Sequence, residues 1–136
     1  MDRKLAHVGI AVKSLTASVP LFEKLFPQER VDTEEVADQG VRVAFLRAGP
    51  CTIELTEATR PESPIAKFIE KRGEGVHHLS FDVEDLQAEL DRLKSAGVRL
   101  IDDRPRKGAG GCLIAFLHPS STNGVLIELS QKTTGA

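Results

Sequence analysis

The chain repeats itself, and that repeat limits what its 136 residues can fold into more than any other feature. At an offset of 71, His7-Val8-Gly9-Ile10-Ala11-Val12 falls on His78-Leu79-Ser80-Phe81-Asp82-Val83. Leu15 falls on Leu86, Val19 on Leu90 and Phe22 on Leu93, and Ala44-Phe45-Leu46 falls on Ala115-Phe116-Leu117 with the same spacing. Ile53-Glu54-Leu55 returns as Ile127-Glu128-Leu129 at an offset of 74, and the three additional residues fit the loop from His118 to Gly124. Self-similarity of this kind marks a supersecondary unit that cannot bury its own sheet and needs its copy. The reading is a single domain over residues 1–136, with no loose linker and one shared core.

Each copy reads as strand, helix, then three strands, which makes the fold class α+β. Ala6 to Val12 and Val76 to Val83 are apolar and β-branched with short alternation, as strands require. Ser14 and Asp85 then stand where helix caps belong. The second helix carries Leu86, Leu90 and Leu93 on one face and stops at Gly97. The first has Pro20 inside it, which predicts a kink or a start delayed to about Ser18. Strands are predicted over 29–37, 41–48 and 51–57, and again over 98–103, 112–118 and 124–130. The modules thus run over about 5–57 and 75–130. Between them a helix over about 63–72 opens on Ser63 and Pro64, carries Ile65, Phe68 and Ile69 as its apolar stripe, and ends at Lys71-Arg72-Gly73.

Strand parity says which side chains do chemistry, because successive side chains point to opposite faces of a sheet. Val8, Ile10 and Val12 take the face their helix covers, so His7, Gly9 and Ala11 take the other. Leu79, Phe81 and Val83 repeat the choice, leaving His78, Ser80 and Asp82 opposite. Glu54 lies between Ile53 and Leu55, and Glu128 between Ile127 and Leu129. All four polar residues therefore turn away from the helices, toward whatever one curved mixed sheet encloses. Two equivalent halves bring His7, Glu54, His78 and Glu128 together as a metal site, with nitrogen and oxygen ligands suited to a divalent ion. Val43, Phe45, Ile114 and Phe116 are candidates for an apolar wall, which would strengthen polarisation by excluding water.

The remaining candidates read as structural. His77 falls on the helix side of its strand, and His118 starts a loop. Gly108-Ala109-Gly110-Gly111 could cradle an anion, but a loop before a strand needs glycine anyway. Lys67, Lys71, Arg72, Arg106 and Lys107 read as solvated charges. Cys51 and Cys112 fit neither a disulfide framework nor a zinc ribbon, and no basic neighbour activates them. Hydrophobic residues make up 40% and charged residues 28%, the balance of a globular chain. With 18 basic against 20 acidic residues and a formal charge of −2, a nucleic-acid partner is not expected. No apolar run approaches the ~18 residues of a membrane span, and the N-terminus runs into a strand without a signal-peptide core. A reduced, cytoplasmic setting is the expectation.

With the repeat and these four residues in hand, the chain resembles the vicinal oxygen chelate superfamily, and within it the methylmalonyl-CoA epimerase family. The resemblance covers about residues 5 to 130. It is carried by His7-Val8-Gly9-Ile10-Ala11-Val12, Ser63-Pro64-Ile65-Ala66-Lys67-Phe68 and Gly73-Glu74-Gly75-Val76-His77-His78, and by Val98 to Asp102, Phe116 to Pro119 and Gly124 to Leu129. It implies two βαβββ modules around a metal-containing cleft and interconversion of (2R)- and (2S)-methylmalonyl-CoA. It also implies an acyl-CoA substrate, a homodimer, and one divalent ion per chain, cobalt first and zinc, nickel or manganese as alternatives. By position His7, His78 and Glu128 match metal ligands, with Glu54 at the fourth place and Glu54 and Glu128 as the catalytic carboxylates. One departure stands out. Some members carry a glutamate base where this chain has Val43, paired with glutamine where it has Glu54. Glu54 is therefore given the role of base as well as that of possible ligand. A cation-bound carboxylate is a poorer base, so one glutamate must use its other oxygen or swing off the metal. The alternatives are a glyoxalase-type isomerase, an iron-dependent extradiol dioxygenase, which a fourth ligand would crowd, and a metal-free small-molecule binding or resistance protein.

Overall fold

The computed structural model describes residues 2–133. By backbone proximity they divide into two compact units, residues 7–77 and residues 2–6 with 78–133. The fold is α+β and made of two βαβββ modules.

In the unit of residues 7–77, β1 (Leu5–Ala11) enters from the other unit and is followed by α1 (Leu15–Leu25), β2 (Asp32–Val36), β3 (Val41–Ala48), β4 (Cys51–Ala58) and α2 (Pro64–Arg72). The strand order is β2-β3-β4-β1. β1 runs parallel to β4, while β2·β3 and β3·β4 are antiparallel. In the other unit come β5 (Gly75–Asp82), α3 (Leu86–Ser95), β6 (Arg106–Lys107), β7 (Cys112–Leu117) and β8 (Ile127–Lys132), in the order β5-β8-β7-β6. Here β5 is parallel to β8 and the other two pairings are antiparallel. The first residues of β1 belong with this unit, where the Asp82 N–H donates to the Lys4 carbonyl at 2.9 Å.

The apolar faces fall as parity requires. In the first unit Val12, Leu15, Ala44, Leu46 and Leu55 form a buried cluster with Ile10, Val19, Phe22 and Ile53 packed on it. In the second, Leu86, Leu90, Ala115, Leu117 and Leu129 do the same, with Phe81, Val83, Leu93 and Ile127. These sets correspond residue for residue through the repeat. The three-residue difference falls in the β7–β8 connection, since Leu46 pairs with Ile53 and Leu117 with Ile127. A turn of 3-10 helix, Pro119–Ser121, occupies that longer loop.

Helix starts are fixed by two acceptors each, one local and one distant. For α1, the Ser14 side chain accepts from the Ala17 N–H and the Glu57 carboxylate from the Leu15 N–H at 2.6 Å. For α3, Asp85 accepts from the Ala88 N–H and the Gln131 side-chain oxygen from the Leu86 N–H at 2.8 Å. Glu57 and Gln131 are equivalent positions, so the two halves exchange charge: a neutral cap with a distant carboxylate in one, a carboxylate cap with a distant amide in the other. Each helix N-terminus meets one of these carboxylates, matching its partial positive charge.

Three expectations are corrected. α1 begins at Leu15 and not near Ser18, with Pro20 inside it. Both Pro20 and Thr16, whose carbonyl loses its helical partner, are exposed, so water can replace the missing bond. Residues 98–103 make no regular strand. The N–H groups of Ile101 and Asp102 converge on the Phe116 carbonyl, and the Asp102 carboxylate takes the Phe116 N–H at 2.8 Å, so only Leu100 bridges to Leu117. The strand beside β7 is instead the two-residue β6. Finally, β2 and β8 are Asp32–Val36 and Ile127–Lys132, displaced from the predicted bounds. The connecting helix matches its prediction, with the Ser63 hydroxyl accepting from the Ile65 N–H and Gly73 at its end with φ 77°. Among the described residues no helix is long and apolar enough to cross a membrane.

Glu57→Ala or Gln131→Ala is expected to lower stability by about 1–2 kcal/mol, the usual cost of losing a helix-start acceptor. Glu57→Gln should cost less than Glu57→Ala because the acceptor oxygen stays. Urea unfolding followed by far-ultraviolet circular dichroism measures both differences, and equal losses would show that charge, not the hydrogen bond, matters at this helix.

Candidate metal and proton-transfer site

Each unit sets one histidine beside one glutamate, by the same construction. In the first, β1 and β4 run parallel with Gly9 opposite Glu54, and the His7 Nδ1 lies 3.2 Å from the Glu54 Oε2. In the second, Ser80 is opposite Glu128, and the His78 Nε2 lies 3.9 Å from the Glu128 Oε2. Glu54, His78 and Glu128 are buried, and His7 is nearly so. The flanking strand repeats as well, since Phe45 pairs with Glu54 and Phe116 with Glu128. Each glutamate thus has a phenylalanine on one side and a small residue, Gly9 or Ser80, on the other.

Further contacts orient the second pair. The His78 ring meets Phe116 edge-on, with centroids 5.5 Å apart and planes at 86°. Beyond Phe116 the Arg106 guanidinium sits 5.7 Å from the ring centroid and pairs with Asp102 at 3.3 Å. Arg106 is therefore held by the ring and the carboxylate together, although its side chain is 42% exposed. Ser80 is also new as a candidate. It is wholly buried, and its Oγ has no hydrogen-bond partner. The signal was available in the alignment of the halves, where Ser80 replaces Gly9.

The other candidates divide clearly. His77 packs edge-on against Phe68 of α2, with centroids 5.0 Å apart, which is a structural contact. The His118 Nδ1 accepts from the Ser120 N–H and so caps the short turn that follows. Gly108 is needed because a Cβ there would come within 2.7 Å of Ile114, while Gly110 and Gly111 take φ 68° and 74°. Turn geometry accounts for this glycine run. Cys51 and Cys112 are both half-buried. Val43 is buried on the face shared with Glu54, across from Thr56.

Burying a carboxylate is costly unless a cation or donors compensate it. Imidazole nitrogen and carboxylate oxygen held together, twice over, form a donor set of intermediate hardness that suits a divalent first-row ion. With a proton acceptor in each pair, the same residues can also exchange a proton with a carbon acid.

Residues 6–116 match the family model of the glyoxalase/bleomycin resistance protein/dioxygenase superfamily. The chain is similar to the ethylmalonyl-CoA/methylmalonyl-CoA epimerase of Cereibacter sphaeroides, with 40% identity over 133 residues, 96% of this chain and 99% of that protein. A solved methylmalonyl-CoA epimerase in complex with methylmalonyl-CoA and ammonium aligns with a TM-score of 0.91 and 37% identity, covering 97% of this chain and 96% of that one. A variant of the Streptomyces coelicolor methylmalonyl-CoA epimerase bound to 2-nitronate-propionyl-CoA aligns equally well, with a TM-score of 0.91 and 37% identity over 96% of this chain and 95% of that one.

The adjacent histidines separate ligand from scaffold. His78→Ala is expected to weaken cobalt binding at least about tenfold, while His77→Ala should leave it unchanged and cost about 1 kcal/mol of stability through the lost ring contact. Calorimetric titration and thermal melts read the two effects, and unaltered cobalt affinity in His78→Ala would remove that residue from the site.

Proposed function

The chain belongs to the glyoxalase/bleomycin resistance protein/dioxygenase superfamily, and we propose that it is an epimerase interconverting (2R)- and (2S)-methylmalonyl-CoA by proton transfer. The observation that carries this reading is a buried histidine–glutamate pair at the same place in both halves, in a chain that resembles known epimerases along nearly its whole length. We take residues 1–136 as one vicinal oxygen chelate domain, a view supported by that end-to-end likeness.

We assign His7, His78 and Glu128 as ligands of one divalent ion, with Glu54 adjacent as a fourth donor. Cobalt is the first choice among ions these donors accept, with zinc, nickel and manganese behind it. When bound, the ion supplies Lewis acidity for the negative charge that develops on substrate oxygen as the proton leaves. The proton in question lies between a thioester and a carboxylate, so that charge is already delocalised. Glu54 removes it on one side, with His7 holding the carboxylate through Oε2. Glu128 serves the opposite side, returning a proton to give the other epimer, and the roles reverse in the reverse direction. Phe45 and Phe116, next to the two glutamates, keep water from competing for the reacting carbon. By family likeness we take the working form to be a homodimer, which sedimentation decides, and we place it in the cytoplasm, which cell fractionation decides.

In a coupled assay, cobalt-loaded protein should epimerise methylmalonyl-CoA, and chelation should abolish the activity. In deuterated water the label should enter chiefly the epimer being formed, as two bases on opposite sides require. Bound ligand with no exchange at all would point to a binding protein, and turnover of a glutathione thiohemiacetal to a glyoxalase-type isomerase.

Glu54→Gln should lower turnover by about 100-fold or more, the usual weight of a general base, with a smaller effect on cobalt affinity. Adding Val43→Glu to it should restore part of the activity, because Val43 shares the face of Glu54 and lies opposite Thr56, two residues along β4. Wild-type turnover in Glu54→Gln would place the base elsewhere. Loss without rescue in a folded, metal-loaded double variant would show that the two positions are not interchangeable.

A further inference from the structure

Duplication makes the two glutamates comparable, and the residue opposite each on its parallel partner strand differs. On the strand-pair side, Glu54 has Gly9 opposite and Glu128 has Ser80. On the other side both have phenylalanine, Phe45 and Phe116. The parallel register gives Ser80 and Glu128 the same face of the sheet, so a hydroxyl is set on the strand directly opposite the second carboxylate, where the first has the glycine Gly9. Ser80 is fully buried and its Oγ has no hydrogen-bond partner. A buried unpaired hydroxyl is a net cost to the fold. Packing alone would be served by alanine.

We propose that Ser80 is a positioning residue for Glu128, its hydroxyl donating to the Glu128 carboxylate when that carboxylate takes up a divalent ion. The inference rests on the metal site proposed above. A carboxylate that turns one oxygen to a cation leaves lone pairs on the other, and a serine hydroxyl can rotate to donate to it. Carboxylate ligands are commonly held by such a second hydrogen bond, which fixes which oxygen faces the ion. Opposite Glu54 the matching position is Gly9, which offers no hydroxyl, and the contact from that strand is the His7 Nδ1 at 3.2 Å. The added restraint falls on Glu128 and sets which of its oxygens faces the ion, leaving the proton-transfer roles proposed above unchanged.

The test uses the full chain and cobalt ion itself. Wild type and Ser80→Ala are titrated with cobalt, read by calorimetry and by the visible absorption of the bound ion, and both metal-free proteins are melted. Expected are a 10- to 100-fold weaker cobalt affinity in Ser80→Ala, a shifted cobalt spectrum, and a metal-free melting temperature equal to or above that of wild type. A Ser80→Ala protein that binds cobalt as tightly as wild type, with the same spectrum, overturns the proposal alone. So does a drop in metal-free melting temperature with unchanged cobalt affinity, the outcome for a residue that only packs. Wild-type protein that takes up no cobalt overturns the metal assignment and this proposal with it.

Discussion

The alternation of side chains along four strands decides what this protein can do, and two parallel pairings hold it in place. β1 against β4 and β5 against β8 each keep a register in which apolar residues meet a helix and polar ones turn away. A slip by one residue would send Ile53 and Leu55 to the polar face and Glu54 into the Leu15–Leu46–Leu55 cluster. The cost of burying that carboxylate among aliphatic side chains guards the register more firmly than any single hydrogen bond. The chemistry is thus a by-product of packing: once the core is satisfied, the histidine and the glutamate have only one side to occupy.

Much of this was legible because it repeats. The corresponding clusters beneath α1 and α3 were visible as matched apolar residues, and β3, β4 and α2 follow their patterns closely. What escaped was whatever depends on partners far along the chain. Nothing near Leu15 announces that Glu57 will take its N–H, and nothing near Leu86 points to Gln131. At Pro20 local propensity left a kink and a delayed start open, and the delayed start is not taken, since the penalty shrinks when the orphaned carbonyl faces solvent. Residues 98–103 carry strand-like composition, yet one aspartate side chain competing for a backbone N–H is enough to break the ladder.

The site was half legible for the same reason. Residue type and parity singled out His7, Glu54, His78 and Glu128, since a charged or imidazole side chain between two aliphatic ones stands out. Ser80 does not stand out, being an ordinary residue in an ordinary strand position, and Phe116 reads only as part of an apolar wall. Their interest comes from neighbours: a ring that fixes the plane of His78, and a buried hydroxyl that register sets beside Glu128. Comparing the halves position by position recovers the serine, because Gly9 against Ser80 is a difference where similarity is the rule.

The exchange of charge at the helix starts has a consequence for how such a chain can change over generations. Ser14 works with Glu57, and Asp85 with Gln131, and both members of each pair lie in one compact unit. Crossing the last strand of one half with the helix of the other would put two carboxylates on one helix start and none on the other. Descent by recombination is therefore channelled: a whole half can be copied or traded intact, whereas a breakpoint between a helix and its closing strand separates partners that diverged together. The half, not the strand or the helix, is the smallest unit that keeps each helix start with its own single carboxylate.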